Sequence, residues 1–565
     1  MLARLFLVLL LLAVEVGALL SAFAAESTAP EGASAAGQAP EPKKPRVRVT
    51  ISKQTTVITE PLYPDGYPDY LEAVNRMASQ GVTPQNNAMV LLVKAFGPRE
   101  IRESIQAEYF KRLGIDPLPE EGEYFVYYKY VTRTAADSLQ APRSVEDEEP
   151  LRDEAYRQLD LATTRPWSKA DCPLVAGWLE ANEKPLRLIV EASGRPRFYS
   201  PMPSVAQKNG LLGGAVLGPE ISWIAEAGRA LVARAHLHIS EGKTPQAIED
   251  LLACHRIAHL VGQKPTLIHG VVSRFCEGIA CRGDANLAHY GKLTLQQAQR
   301  YSEQLRKLPP LPSAVERIDK FERLVAADAI CALAHGDVDI LWLLSLGWEK
   351  TYWTRESLRT IAARMFSDGD LMLRISNEHF DRLVAAGRRP IFSERIKALR
   401  DIEKEVQKQY ETRAKPLAIS AQALKTTSPR KAVSQTAAIS LMNLFTPAIR
   451  ACVEDQERCE MSSDLAQLAL ALGAYRTDHG RYPAELAALV PKYIAELPKD
   501  RYSDGQIKYR QEKDGYVLYS VGLNLNDDNG YGCYVWGQEQ APEDGQPGSE
   551  PADDVGIRMP PKLDQ

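Results

Sequence analysis

Carboxylate and amide side chains near the end of the sequence form a set that could bind a hard cation. Calcium prefers six to eight oxygen ligands from a loop that bends around the ion. The spacing of these side chains begins like that of an EF-hand loop. It then departs from the motif, because Asn529 and Val535 stand where glycine and a bidentate glutamate are expected. The alternative is a solvated acidic turn, in which these residue types serve only the backbone conformation. The predicted ligands of a structural calcium ion are Asn524, Asn526, Asp527, Asp528, Asp553 and Asp554.

Three histidines form a second candidate site. His255 and His259 are four residues apart in a predicted helix and therefore share one face, and His238 lies on the neighbouring predicted helix. Imidazoles that converge in this way are typical zinc ligands. The alternative is a set of partly buried histidines that are bonded to backbone carbonyls or to acids such as Asp250. The sequence has no HExxH motif, which would place a general base beside a catalytic zinc ion.

The sequence lacks the common motifs of nucleophilic catalysis and nucleotide binding. It contains no GxSxG motif, no GxxxxGK[ST] loop, and no GxGxxG motif after a predicted strand. The glycines at 210, 213 and 214 do not have the spacing of a phosphate-binding loop. The motifs therefore favour a non-enzymatic protein.

The composition is that of a folded protein. Of the 565 residues, 45% are hydrophobic and 25% are charged, which argues against a mainly disordered chain and against a polytopic membrane protein. The formal net charge of -5 lacks the basic excess of a dedicated nucleic-acid binder. We therefore expect a soluble, folded chain that is long enough for several domains, and no nucleic-acid partner.

The first residues predict export. Arg4 precedes an apolar run over residues 5–20, and small residues follow up to Ala25, as in a secretory signal peptide. We therefore predict a signal peptide over residues 1–25 and a periplasmic or extracellular location. The alternative is an uncleaved segment that anchors the protein in the membrane as a transmembrane helix. Residues 26–45 are rich in Ala, Pro, Gly, Glu and Ser and predict a disordered linker.

The next residues, 46–450, predict a mostly helical domain. Apolar residues recur at helical spacing on both sides of Gly242, and Thr244-Pro245 is a typical helix start. This pattern predicts two antiparallel helices between residues 219 and 262, and we expect a body built from such helical hairpins. Alternating and β-branched residues over 46–59 predict one or two short strands before the helices begin.

The last part, residues 451–565, predicts a smaller α+β domain. A helix through Leu465, Leu472 and Tyr475 ends at Gly480, and a short helix follows Pro483. Residues 507–510 and 516–521 flank a turn with Asp514-Gly515 and predict an antiparallel pair of strands. The fold class is therefore mainly α, with a small C-terminal α+β domain.

This C-terminal segment resembles the type II secretion major pseudopilins. The element Tyr475-Arg476-x-x-x-Gly480-x-Tyr482-Pro483 looks like the end of their long helix and the loop that follows it. Residues 519–524 and 527–530 are similar to the ion-binding loop of that family, and residues 552–555 to its closing acidic motif. The resemblance implies a pseudopilin-like fold for about the last fifth of the chain and calcium as the bound ion.

The whole chain resembles large exported bacterial proteins of unknown role that end in such a module. We therefore expect a non-enzymatic structural or interaction protein of the cell envelope with an unidentified protein partner there. Contact with the membrane is expected only through a retained signal segment. The alternative function is that of a periplasmic metal-dependent hydrolase that uses the histidine cluster.

Overall fold

The computed structural model describes residues 47–131, 145–203, 212–216, 218–335, 368–413, 428–530 and 553–561. Helices make up most of this part of the chain, and the described strands form one small sheet. The prediction of a mainly α protein is therefore confirmed. The predicted signal peptide over 1–25 and the predicted linker over 26–45 lie outside the described residues.

The described helices fall into two series along the chain. The first series is α1 (Tyr70–Ala78), α2 (Ala88–Phe96), α3 (Glu103–Leu113), α4 (Val145–Thr164), α5 (Pro173–Ala181), α6 (Glu183–Ser193), α7 (Glu220–Ser240) and α8 (Thr244–Val261). The second series is α9 (Leu267–Tyr290), α10 (Leu295–Arg306), α11 (Ala314–Arg317), α12 (Arg323–His335), α13 (Gly369–Gly387), α14 (Phe392–Arg413) and α15 (Pro429–His479). One π-helical turn, Ile318–Glu322, joins α11 to α12. Short 3-10 helices cover Tyr128–Tyr130, Leu212–Ala215 and Leu486–Leu489.

Helices α7, α8 and α9 form the centre of the body. Gly242 allows the tight connection from α7 to α8 because its φ of 70° is a left-handed conformation that glycine adopts without strain. Thr266 caps α9, since its hydroxyl accepts a hydrogen bond from the backbone N–H of His269 at 3.2 Å. The three helices pack against one another, and α9 also packs along α15. These contacts place α9 between the body and the C-terminal part of the chain.

The long helix α15 belongs to both of the domains that were predicted from the sequence. It runs from Pro429 to His479 without interruption and passes through the domain boundary predicted at residues 450 and 451. One hydrophobic core includes Leu287 of α9, Leu468 of α15 and Leu518 of the sheet. The described parts of the body and of the C-terminal segment therefore share a core.

Within the described chain, the length and composition of Arg430–His479 would also allow this helix to cross a membrane. Half of its most apolar stretch is buried within the fold.

The sheet has three antiparallel strands in the order β1 (Lys508–Gln511), β2 (Tyr516–Ser520) and β3 (Val555–Met559). Tyr509 pairs with Leu518, and Leu518 pairs with Ile557. All five residues of the central strand β2 are buried. The sequence predicted the first two strands but not β3, which a long connection separates from β2.

The prediction of strands over residues 46–59 is wrong for its described part. Residues 47–59 form irregular backbone with a turn over 53–56 and no strand. The hydroxyl of Thr56 accepts a hydrogen bond from the N–H of Ser52 and donates one to the carbonyl of Ile58. Such local side-chain bonds compete with a strand ladder, and β-branched composition alone does not reveal them.

We predict that Gly473→Ala will destabilise the protein by about 1–3 kcal/mol, the usual cost of overpacking a core. A Cβ at position 473 of α15 would lie 2.4 Å from the backbone oxygen of Ala288 in α9. This backbone cannot move aside as a flexible side chain can. The higher helix propensity of alanine contributes only about 1 kcal/mol in the opposite direction. Urea unfolding followed by circular dichroism measures the difference.

Gly177→Ala is the matched control for this prediction. Gly177 also lies inside a helix, α5, but a Cβ there would meet nothing within 4 Å. We expect the control to be neutral or to gain up to about 1 kcal/mol from helix propensity. Equal effects of the two substitutions would contradict close contact between α9 and α15.

Candidate functional site

The acidic loop is the turn region that follows β2, residues 521–530, together with Asp553 and Asp554, which directly precede β3. Gly522 has a φ of 66°, and a Cβ there would lie 2.3 Å from the backbone oxygen of Asp553. Only glycine allows the two chain segments to approach so closely. The two segments are distant from each other along the chain, and the pairing of β2 with β3 brings them together.

Four of the six predicted calcium ligands converge in this loop. The Asp553 carboxylate accepts hydrogen bonds from the backbone N–H groups of Leu523 and Asn524 at 3.1 and 3.2 Å. The Oδ2 atom of Asp528 accepts from the side-chain amide of Asn524 at 3.0 Å and from the backbone N–H of Asp553 at 3.3 Å. Asp554 accepts from the backbone N–H of Gly530 at 2.8 Å.

The other two predicted ligands have different surroundings. The Oδ1 atom of Asp527 accepts hydrogen bonds from the hydroxyl of Tyr519 at 2.9 Å and from the N–H of Asn529 at 3.1 Å. Its Oδ2 atom lies 3.4 Å from the ammonium group of Lys508. The side chain of Asn526 is exposed. Asp527 and Asn526 are therefore less well placed as ligands than the four residues that converge.

The converging carboxylates have an unfavourable electrostatic environment. Burial raises the pKa of Asp554 to about 6, and repulsion from Asp528 and Asp527 adds to the increase. Burial also raises the pKa of Asp553, although attraction to Arg458 acts in the opposite direction. Asp554 is only 2% exposed, and its Oδ1 atom has no hydrogen-bond partner among the residues that the structure describes. A cation would relieve this repulsion and would satisfy the unpaired oxygen.

The three histidines of the predicted zinc site do not form a common site. His238 Nδ1 lies 3.2 Å from Asp250 Oδ2, and Arg234 donates to the same carboxylate. His259 Nδ1 bonds to the backbone oxygen of Pro309 at 2.5 Å. In the part of the chain that the structure describes, ligand atoms of three such residues lie within 4.8 Å of one another only at His255, Glu277 and Cys281. The sequence-based trio is therefore wrong in its membership.

The buried histidine network consists of His255, Glu277, Asp284 and Tyr301. His255 Nδ1 lies 2.9 Å from Glu277 Oε2, and its Nε2 lies 3.0 Å from Asp284 Oδ2. The hydroxyl of Tyr301 donates to the other oxygen of Asp284 at 2.6 Å. Burial alone would lower the pKa of His255, but attraction to Glu277 and Asp284 outweighs burial and raises it to about 10. The ring is therefore an imidazolium between two carboxylates at neutral pH.

The acidic partners of His255 were not among the residues predicted from the sequence. Glu277 and Asp284 lie on α9, and Tyr301 lies on α10. The two acids are seven residues apart and hence on one helix face, in a helix whose other residues are mostly small or apolar. This spacing is a signal that could have identified them as a buried pair that requires a cation.

A surface cleft of about 870 Å³ lies between the turns near residue 57, α1, the π-helical turn and α13. Val57 has a φ of 64°, an uncommon conformation for a β-branched residue. Backbone irregularities of this kind and π-helical turns are enriched at functional sites. Apolar side chains and charges of both signs line the cleft, among them Val74, Leu324, Lys53, Arg374, Asp319 and Glu378.

Comparison of this chain with protein-family models, with curated proteins and with solved structures finds no match.

Proposed function

We propose that this chain is an exported, non-enzymatic structural or interaction protein of the bacterial cell envelope. In this proposal a body of antiparallel helical hairpins carries a pseudopilin-like C-terminal module, and calcium stabilises that module. The signal-like N-terminus supports export to the periplasm or beyond, or attachment to the membrane if the segment is retained. The mixed-charge cleft near Val57 is a surface suited to an unidentified protein partner.

The observation that carries the calcium part of the proposal is the Oδ1 atom of Asp554, which no described residue pairs with a hydrogen bond. This atom is buried, and the acidic side chains that repel Asp554 are those of Asp528 and Asp527, so three carboxylates lie close together. Carboxylate, amide and backbone oxygens are the ligands that calcium prefers. Because the loop follows β2 and the two acids precede β3, an ion here would hold the last strand to the sheet.

The alternative of a metal-dependent hydrolase has less support. His238 Nδ1 lies 3.2 Å from Asp250, and His238 is not in the group of converging donors formed by the described residues His255, Glu277 and Cys281. His255 is 2% exposed, and its partner Glu277 is 5% exposed, so a substrate cannot reach them in this conformation. A catalytic metal needs an open position for water or substrate.

We predict that calcium will raise the melting temperature of the chelator-treated protein. An ion that binds only the folded state stabilises it by mass action, by about 2.7 kcal/mol at a concentration one hundred times the Kd. Asp528→Asn should abolish most of the shift, because Asp528 contacts both segments of the loop. Differential scanning calorimetry with increasing calcium measures the effect.

Asp514→Asn is the control for the loss of one negative charge. Asp514 is an exposed residue in the turn between β1 and β2, away from the loop. This variant should retain the full calcium response. No shift of the wild-type melting temperature at millimolar calcium would refute the calcium site.

A further inference from the structure

A second group of metal-binding side chains lies inside the helical body. His255 of α8 and Glu277 and Cys281 of α9 place their ligand atoms within 4.8 Å of one another. The three residues are only 2–5% exposed. The Nε2 atom of His259 lies 3.6 Å from the Glu277 carboxylate and approaches it from the next turn of α8. Nitrogen, sulfur and carboxylate donors thus meet at one buried point.

The surroundings of the two histidines match those of metal ligands. A histidine that binds a metal through one ring nitrogen usually donates the other N–H to a carboxylate or a backbone carbonyl. His255 presents Nδ1 to Glu277, while its Nε2 donates to Asp284. His259 presents Nε2 to Glu277, while its Nδ1 donates to the carbonyl of Pro309. In both rings, the nitrogen that faces away from Glu277 therefore has a hydrogen-bond partner. This partner would hold the ring in the orientation of a metal ligand.

The distances between the donors allow a small divalent ion. Zinc bonds of about 2.0–2.3 Å place tetrahedral ligand atoms roughly 3.3–3.8 Å apart. The present contacts lie on both sides of this range, with 2.9 Å from His255 Nδ1 to Glu277 Oε2 and 4.0 Å from Cys281 Sγ to the other oxygen, Oε1. The three donors of His255, Glu277 and Cys281 lie within 4.8 Å of one another, so shifts of up to about 1 Å would place them around zinc.

We propose that His255, Glu277, Cys281 and His259 bind one zinc ion in a closed, structural site. The thiolate and imidazole donors select zinc over calcium or magnesium. On binding, zinc takes the place of the proton on His255 Nδ1 and of the thiol proton of Cys281, and both protons leave to solvent. The site would join α8 to α9 and is independent of the acidic loop, so this inference does not depend on the proposed function.

Cobalt(II) is a suitable probe because it occupies zinc sites and absorbs visible light. The chelator-treated full chain should bind one cobalt ion per chain, with the visible bands of tetrahedral cobalt and a near-ultraviolet thiolate charge-transfer band. Cys281→Ser should remove the charge-transfer band and weaken cobalt binding at least tenfold. Cys276→Ser should change neither, because this thiol is also buried in α9 but faces the carbonyl of Ile224.

Two further measurements keep the proposal testable if Cys281→Ser does not fold. X-ray absorption of the zinc-loaded wild type should show one sulfur ligand at about 2.3 Å. Asp284→Asn, which removes the charge that supports His255 but keeps an oxygen that can accept from Tyr301, should weaken cobalt binding about 10- to 100-fold. Failure of the wild type to bind cobalt, or zinc bound without a sulfur ligand, would overturn the proposal. Asp528→Asn, which tests the calcium loop, should leave cobalt binding unchanged.

Discussion

Replacement of His255 by leucine should lower the free energy of unfolding of the metal-free protein by about 3–5 kcal/mol, as is typical when a buried ion pair loses one partner. Leucine has a similar size, but it leaves the carboxylates of Glu277 and Asp284 buried without the cation between them. Tyr301 still donates a hydrogen bond to Asp284, but it supplies no charge. Urea unfolding in the presence of a chelator measures the difference.

His379→Leu is the matched control for this substitution. His379 is also buried, and its Nε2 lies 2.9 Å from the hydroxyl of Thr446. Burial lowers the pKa of His379 to about 4, so this ring is neutral at pH 7. We expect its loss to cost about 1 kcal/mol, the usual value of one hydrogen bond. Similar effects of the two substitutions would show that His255 does not carry a stabilising charge.

The charge of His255 should also give the metal-free wild type a pH dependence. Its pKa is about 10 in the folded protein, against an ordinary value of 6.5. A raised pKa means that the folded state binds the proton more tightly than the unfolded state does. The stabilisation is therefore complete below pH 6.5 and is lost as the pH rises towards 10. Urea unfolding across this pH interval should show a decrease in the free energy of unfolding. The His379→Leu variant should show the same decrease.

Asp455→Leu should destabilise the protein by about 3–5 kcal/mol, because it leaves the guanidinium of Arg274 buried without its partner. Arg274 of α9 donates from Nε to Asp455 of α15 at 2.5 Å, and both side chains are at most 5% exposed. The pair joins the body to the long helix that leads to the C-terminal sheet. Thermal unfolding followed by circular dichroism should therefore show a loss of stability in the whole chain.

The double variant Arg274→Met with Asp455→Leu should recover most of this loss, since apolar residues can replace a buried ion pair at little cost. Arg382→Met is the exposed control. Arg382 pairs with Glu405 between α13 and α14, and both side chains are nearly half exposed. We expect this control to lose less than about 1 kcal/mol. A double variant as unstable as Asp455→Leu would argue against the buried charge as the cause.

Helix starts and ends could be predicted because they depend on local chemistry. Gly480 ends α15 in a left-handed conformation, and a proline in the first turn opens α8, as the sequence indicated. The predicted strands over 46–59 failed because the hydroxyl of Thr56 bonds to the backbone N–H and carbonyl of Ser52 and closes a turn that periodicity does not reveal. The extent of α15 was also missed, because tertiary packing stabilises a helix through Pro447 and polar residues.

The two candidate sites also differ in how far they could be predicted from the sequence. The acidic loop could be found because Asn524 and Asp528 are close in sequence and have the side chains that a hard cation requires. The convergence of Asp553 and Asp554 with them was an expectation from resemblance, and the structure gives its cause in the pairing of β2 with β3. The zinc site of three histidines was wrong, since shared helix faces do not specify which side chains pack between two helices. The alternative, histidines near carbonyls or acids such as Asp250, agrees with the contacts of His238 and His259.

The sequence by itself determined the helical class, the local helix signals and the residue types of the acidic loop, because these depend on neighbours within a few positions. Only the tertiary structure decided that His238 faces Asp250, whereas His255 lies between Glu277 and Asp284. It also decided that α15 joins the two predicted domains through one core. The physical reason is that a buried charge must find its partner across helices, and such partners depend on how the helices pack together.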